Sequence, residues 1–157
     1  MSKYVNKPYL YWEEATKVIK KETEGAIKRG LRKALKELQK GAKQNLISRV
    51  KGANKVKEPY YDSLVQGIRY LSPRRNKNDK SEISGAIKIT SNRKKGSGSF
   101  RLVFLEKGTK DRYTKKKGYY RGALTPRYFF RDAQIPHSKV QSYIDMEMDE
   151  AIRKLTL

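Results

Sequence analysis

Apolar residues recur along this chain at two periods, one helical and one extended, and the places where the period changes mark out its elements. Ile27, Leu31, Ala34, Leu38 and Ala42 recur at three and four residues, with Leu35 widening the stripe. At about 100° per residue these positions share one face, which predicts an amphipathic helix. Lys28, Arg29, Arg32, Lys33, Lys36, Lys40 and Lys43 cover the rest of its circumference. Ala15, Val18 and Ile19 carry the stripe back toward Glu13, whereas Gly25 and Gly30 weaken an unbroken rod and place a break near Gly25. The helix is expected to end between Val50 and Asn54, because Gly52 offers a C-terminal cap and Pro59 forbids continuation.

Beyond Pro59 the period drops to two. Asp62 and Ser63 suggest a short capped turn, and residues 68–71 a strand stopped by Ser72 and Pro73. Residues 74–82 read as a charged, mobile loop. Ile83, Ile87 and Ile89 alternate with Lys88 and Thr90 and predict a half-buried strand. A Gly- and Lys-rich stretch, residues 91–99, returns the chain into the segment Phe-Arg-Leu-Val-Phe-Leu-Glu-Lys-Gly-Thr at 100–109. There Phe100, Leu102 and Phe104 fall on one side at period two and Val103 and Leu105 on the other. The pattern predicts a strand covered on both faces, hence the centre of an antiparallel sheet. From residue 107 to 127, Gly108, Gly118 and Gly122 punctuate a stretch of basic and aromatic residues, which predicts a long functional loop that becomes ordered on a partner. A last helix is predicted over residues 138–155, with Ser138 as N-cap and Val140, Ile144, Met148, Ala151, Ile152 and Leu155 on its apolar face. The fold class is therefore α+β: a small antiparallel sheet packed against a long N-terminal helix and a C-terminal helix, with a long basic loop.

Composition narrows the function. A chain of 157 residues fits one domain, since that length buries roughly two thirds of its unfolded surface. It has no apolar run of the roughly 18 residues a membrane-spanning helix needs, and residues 1–11 are polar and aromatic rather than a charged cap followed by an apolar stretch. Neither a membrane partner nor secretion is expected. Without cysteine there is no disulfide framework and no thiolate metal site, and a lone histidine, His137, cannot build a site. No cofactor and no metal are expected. The formal net charge is +22, from 38 Lys and Arg against 16 Asp and Glu, and makes an anionic partner the expectation. Residues 1–58 carry +10, residues 74–95 carry +6 and residues 107–131 carry +8, while residues 139–157 carry −1.

Several segments occur in an order that narrows the reading further: Ala42-Lys43 at the end of the first helix, Ser-Leu-x-x-Gly-Ile at 63–68, Phe-Leu-Glu-x-Gly-Thr at 104–109, and Pro-x-x-Phe-x-x-Asp-Ala at 126–133. This order resembles the tail-completion, or head-tail joining, family of long-tailed bacteriophages. The resemblance covers residues 26–155, and its most specific part is Glu-x-Gly-Thr followed some twenty residues later by the Pro-to-Ala element. It implies a structural protein with no catalytic residues. Its subunits would form a ring, expected to be hexameric, between the portal-side connector and the tail tube, through which DNA passes. The implied location is the virion neck or tail, after assembly in the host cytoplasm. On this reading residues 26–157 are one domain and residues 1–25 an N-terminal extension. Two features depart from the family pattern: the extension itself, with Tyr4, Tyr9, Tyr11 and Trp12, and the high basic charge. The extension is either an arm lying on a neighbouring subunit or an aromatic cap on the chain's own core.

The candidate contact residues follow from these segments. Glu106, beside Gly108 and Thr109, reads as an ion-pair or turn-capping residue that the resemblance places near a subunit contact. No second carboxylate or histidine is positioned to share its proton. Glu106 and Lys107 do not make a nuclease pair, because neighbours on a strand point to opposite faces whereas such a site aims both groups at one metal-bound phosphate. Lys115, Lys116, Lys117, Tyr119, Tyr120 and Arg121 alternate charge with rings around Gly118. They suit either a non-specific DNA contact or an acidic neighbour in an assembly, and both are salt-sensitive. Phe129 and Phe130 are expected to anchor the loop back onto the sheet, with partner binding as the other reading. An independent basic nucleic-acid-binding protein is the alternative function, although no helix-turn-helix or zinc spacing accompanies the charge.

Overall fold

The computed structural model describes residues 8–58, 61–90 and 97–156, with side chains from residue 15 onward. The expectations for Tyr4, for the side chains of Tyr9, Tyr11 and Trp12, for Pro59 and for residues 91–96 lie outside the described residues. The architecture is α+β, as the pattern predicts. Helix α1 (Pro8–Arg49) leads through a 3-10 turn (Leu64–Gly67) into strands β1 (Ile68–Arg75) and β2 (Ile83–Ile89). Helix α2 (Arg101–Lys107), strands β3 (Arg112–Tyr113) and β4 (Tyr120–Gly122) and helix α3 (His137–Leu155) complete it. β1 pairs with β2 and β3 with β4, as separate two-stranded sheets. The first pair is antiparallel: Thr90 N–H donates to Gly67 O at 2.7 Å at one end, and Asn76 N–H to Glu82 O at 2.8 Å at the other.

The described residues divide into two compact units. One comprises the described residues up to Ala34, Pro73–Ser84 and those from Pro136 onward, the other the described residues of Leu35–Ser72 and Gly85–Ile135. α1 is continuous through both.

In the first unit α1 packs on α3 through small residues. Ala26, Gly30, Ala34 and Ala151 are all buried, and a Cβ built on Gly30 would stand 2.6 Å from Ile144 Cα and 2.8 Å from Tyr143 O. The glycine expected to weaken the helix is instead where a second backbone approaches it. The helix also runs unbroken through Gly25, where a propensity penalty of about 1 kcal/mol does not end a 42-residue element. A buried carboxylate closes this face: Glu147 accepts from Arg29 Nε and Lys33 Nζ, each at 2.6 Å. Hydrogen bonds from Lys33 and then from Arg29 hold its carboxyl below the ordinary carboxylate value, against the opposing effect of burial. Nearby, Glu24 pairs with Lys28 and Arg75.

Other boundaries move for local reasons. β1 continues through Pro73 to Arg75 rather than stopping at Ser72, as a proline can when its missing N–H is not required by the ladder. Residues 76–82 are a hydrogen-bonded turn: Asn76 Nδ2 donates to Glu82 Oε2 at 2.6 Å and Ser81 N–H to Asp79 Oδ1 at 2.9 Å. Pro136, not Ser138, takes the N-cap position of α3, and its end residues Ile152 and Leu155 are exposed.

The largest correction falls in the second unit. Residues 101–107 form a helix, not a central strand, and β2 pairs with β1 instead of with this segment. A short apolar run fits both periods. What separates them is that Leu102 and Glu106, four residues apart, are both buried while Phe104 is 40% exposed. α2 joins Ala42, Leu46, Ala53, Leu64, Ile68 and Phe129 in a core through Leu102. Its entry is held by Asp62, whose carboxylate accepts from Ser97 Oγ at 3.0 Å and from Gly98 N–H. Gly67 makes room for it, since a Cβ there would lie 2.4 Å from Leu102 Cδ1.

Two glycines of α1 test this account. Gly41→Ala meets nothing within 4 Å and is expected to raise stability by about 0.5–1 kcal/mol in urea denaturation, whereas Gly30→Ala is expected to lower it despite the same gain in helix propensity. Acid titration tests the Glu147 cluster. Because its folded-state value is depressed, the cluster's stabilisation is present above the unfolded carboxylate value and is lost as pH falls through the folded one. Glu147→Gln is expected to cost roughly 1–3 kcal/mol at neutral pH and to flatten the acid limb of the stability profile measured by circular dichroism.

Candidate functional site

Two of the segments singled out in the sequence meet in the second unit, at the C-terminus of α2. Gly108 has φ +73°, and a Cβ on it would come within 2.5 Å of Leu124 O and 2.8 Å of Pro126 Cδ. Only glycine fits both the left-handed backbone and the close approach. Thr109 then closes the junction: its N–H donates to Leu124 O at 3.0 Å, and Leu124 N–H donates to its Oγ1 at 2.9 Å. Glu106 is buried, and its two carboxylate oxygens accept from the N–H groups of Phe130 and Arg131, each at 2.9 Å. Of the expected roles it takes that of a capping residue, although from a helix end. Lys107, about 100° further round the helix, is exposed, so the two do not converge on one point.

The end of α1 grips the other side of the same segment. Arg49 Nη1 donates to Arg127 O at 2.7 Å and pairs with Asp132 at 2.8 Å, while Asn45 Nδ2 donates to Phe129 O at 3.2 Å. Phe129 is fully buried in the core and Phe130 half-buried against it. The expected anchor is therefore present, and Phe129 has no exposed surface for a partner. Held from both sides, Tyr128 adopts φ +47°, a left-handed conformation rare for a bulky residue, with the Arg131 guanidinium carbon 3.7 Å from its ring centroid.

Between these anchors the basic stretch is a β-hairpin, not an irregular loop. β3 and β4 pair antiparallel with Arg112 opposite Gly122 and Tyr113 opposite Tyr120. The Tyr113 and Tyr120 rings stand 5.4 Å apart, and Tyr120 Oη donates to Asp111 Oδ1 at 2.9 Å. At the tip, Gly118 N–H donates to Thr114 O and Tyr119 N–H to Thr114 Oγ1. Lys115, Lys116, Lys117, Tyr119, Tyr120 and Arg121 are all exposed there. Strands this short and exposed on both faces carry no alternation for a sequence pattern to register.

A feature that sequence reasoning missed lies beside the hairpin's base. An open groove of about 400 Å³ has a floor of Val50, Leu64, Phe100, Phe104, Leu105 and Leu124. Lys51, Lys55, Lys57, Arg101 and Arg112 line it too, and among the described residues no Asp or Glu does. These cations are scattered between Lys51 and Arg112, so no local motif announces them. Among the described residues, no group of three His, Asp or Glu is placed to hold a metal ion, and no helix is long and apolar enough to cross a membrane.

No protein-family model, curated protein or solved structure matches this chain.

The junction is expected to be a matter of stability. Glu106→Ala leaves two part-buried N–H groups without their acceptor and should lower unfolding free energy by about 1–3 kcal/mol in urea, with Glu106→Gln, which keeps one acceptor, losing less. An Ala variant as stable as the parent would mean that those donors find other partners.

Proposed function

We propose that this chain is a structural subunit that forms a ring, expected to be hexameric, at the neck of a long-tailed phage, joining the head connector to the tail while DNA passes through. The observation that carries this reading is the way the distant segments behind the resemblance interlock. Ala42, Leu64, Ile68 and Phe129 share one core, and Glu106, Gly108 and Thr109 are bonded or fitted to the 124–131 segment. Their meeting in one core supports reading these segments together as one structural unit. A neck component acts by geometry, through contacts between copies and with partner rings, and turns over no substrate. Its place would be the virion, reached by assembly in the host cytoplasm.

The exposed hairpin supports a second reading, an independent nucleic-acid-binding protein. Lys115, Lys116 and Lys117 stand beside Tyr113, Tyr119 and Tyr120, a combination that neutralises phosphates and stacks bases.

Native mass spectrometry and negative-stain imaging of the purified chain, alone and with its connector, separate the two. Closed rings with the connector are expected; a chain that binds DNA tightly as a monomer and never joins a ring would sink the neck reading. Within the ring reading, replacing Lys115, Lys116 and Lys117 together by Ala is expected to weaken assembly in low salt while leaving the thermal melt unchanged, since exposed charges contribute little to stability.

A further inference from the structure

The cation-lined groove beside α2 has a composition that selects its occupant. Its apolar floor, with Phe104 40% exposed, is covered only by apolar matter, and its rim of Lys51, Lys55, Lys57, Arg101 and Arg112 calls for negative charge. A duplex phosphate backbone would neutralise the rim and leave the floor wet. A wholly apolar segment would cover the floor and leave like charges facing one another. The fitting occupant carries carboxylates and apolar side chains on one face.

This chain, otherwise strongly basic, carries such a face itself. Residues 139–157 bear a net −1 in a protein of net +22. Along α3, Asp145, Met146, Asp149 and Ile152 fall within about 120° of the helix circumference at 100° per residue, and Arg153 lies on the same arc between Asp149 and Met146. All are exposed, Met146 at 59% and Ile152 at 53%, whereas Glu147 and Ala151 on the opposite side are buried. Two apolar side chains thus stand among two carboxylates and one arginine, a net −1 face that complements an apolar floor among five cations.

We infer that the outer face of α3 in one copy docks into this groove on a neighbouring copy, an inference that rests on the ring reading above. Asp145 and Asp149 meet the lysine rim, and Met146 and Ile152 cover Phe104 and its neighbours. Because the two patches differ, the contact is heterologous: each copy offers one and receives the other, so the interaction propagates and closes into a ring when the rotation per step permits. Charge pairing sets the partner and the encounter rate, and apolar burial holds the contact.

Reciprocal charge reversal in the full chain tests this. Asp145→Lys with Asp149→Lys, and separately Lys51→Glu, Lys55→Glu and Lys57→Glu together, are each expected to weaken self-association by about tenfold or more in analytical ultracentrifugation. Far-ultraviolet circular dichroism should be unchanged, because every altered side chain is exposed. An equimolar mixture of the two variants, in which each can still offer one intact patch or one doubly reversed contact, and the chain carrying all five changes should both recover association. Assembly that ignores both reversals overturns this interface and leaves the ring reading standing; a parent chain that stays monomeric with and without its connector overturns both. If the groove variant instead loses affinity for a duplex oligonucleotide with assembly intact, the groove is a DNA contact and the inference fails.

Discussion

A buried carboxylate that accepts two successive backbone N–H groups organises the second unit. Glu106 cannot sit in the interior as an ion without strong hydrogen-bond donors, and the N–H groups of Phe130 and Arg131, in a segment with no regular ladder, need an acceptor. Each satisfies the other. The consequence is long-range: a seven-residue helix, too short to persist alone, is tied to a segment 24 residues further on. Phe129 is seated in the core by the same bonds, and the chain between the two anchors is left to project as the basic hairpin.

The first unit answers a different version of the same problem. A helix as basic as α1 repels itself, and its Arg29 and Lys33 are brought to one carboxylate, Glu147, supplied by the least basic part of the chain. That arrangement requires the two helices to approach closely, which Ala26, Gly30 and Ala34 allow. Further cations stand exposed at the hairpin tip and along the groove, among them Lys115, Lys116, Lys117, Lys51, Lys55 and Lys57. Exposed charges of this kind contribute little to stability.

The elements that were legible in the sequence are those with a long or half-buried period. The amphipathic stripes of α1 and α3 and the alternation of Ile83, Ile87 and Ile89 lie on elements of the expected type. Residues 100–109 fit a strand as well as a helix because a four-residue apolar run, Leu102 to Leu105, satisfies period two and period 3.6 alike, and the deciding fact, the burial of Glu106, is invisible until its donors are in place. Gly30 was misread for a related reason. Its propensity is local, but its role is set by the backbone of Ile144, more than a hundred residues away. Of the site, the hairpin's charge and rings were legible; the groove was not, since its cations are assembled from α1's exit, α2 and β3.

By itself, then, the sequence determined the α+β class, the two long helices, the basic character and the order of the Glu-x-Gly-Thr and Pro-to-Ala segments. Those depend on composition and near-neighbour spacing, which a linear chain carries in full. Only the tertiary structure decided that residues 101–107 are helical, that Gly30 is a contact rather than a break, and that scattered lysines and arginines enclose an apolar floor. Each of these depends on what lies across from a residue rather than beside it, and burial, hydrogen-bond satisfaction and charge complementarity are properties of that opposing partner.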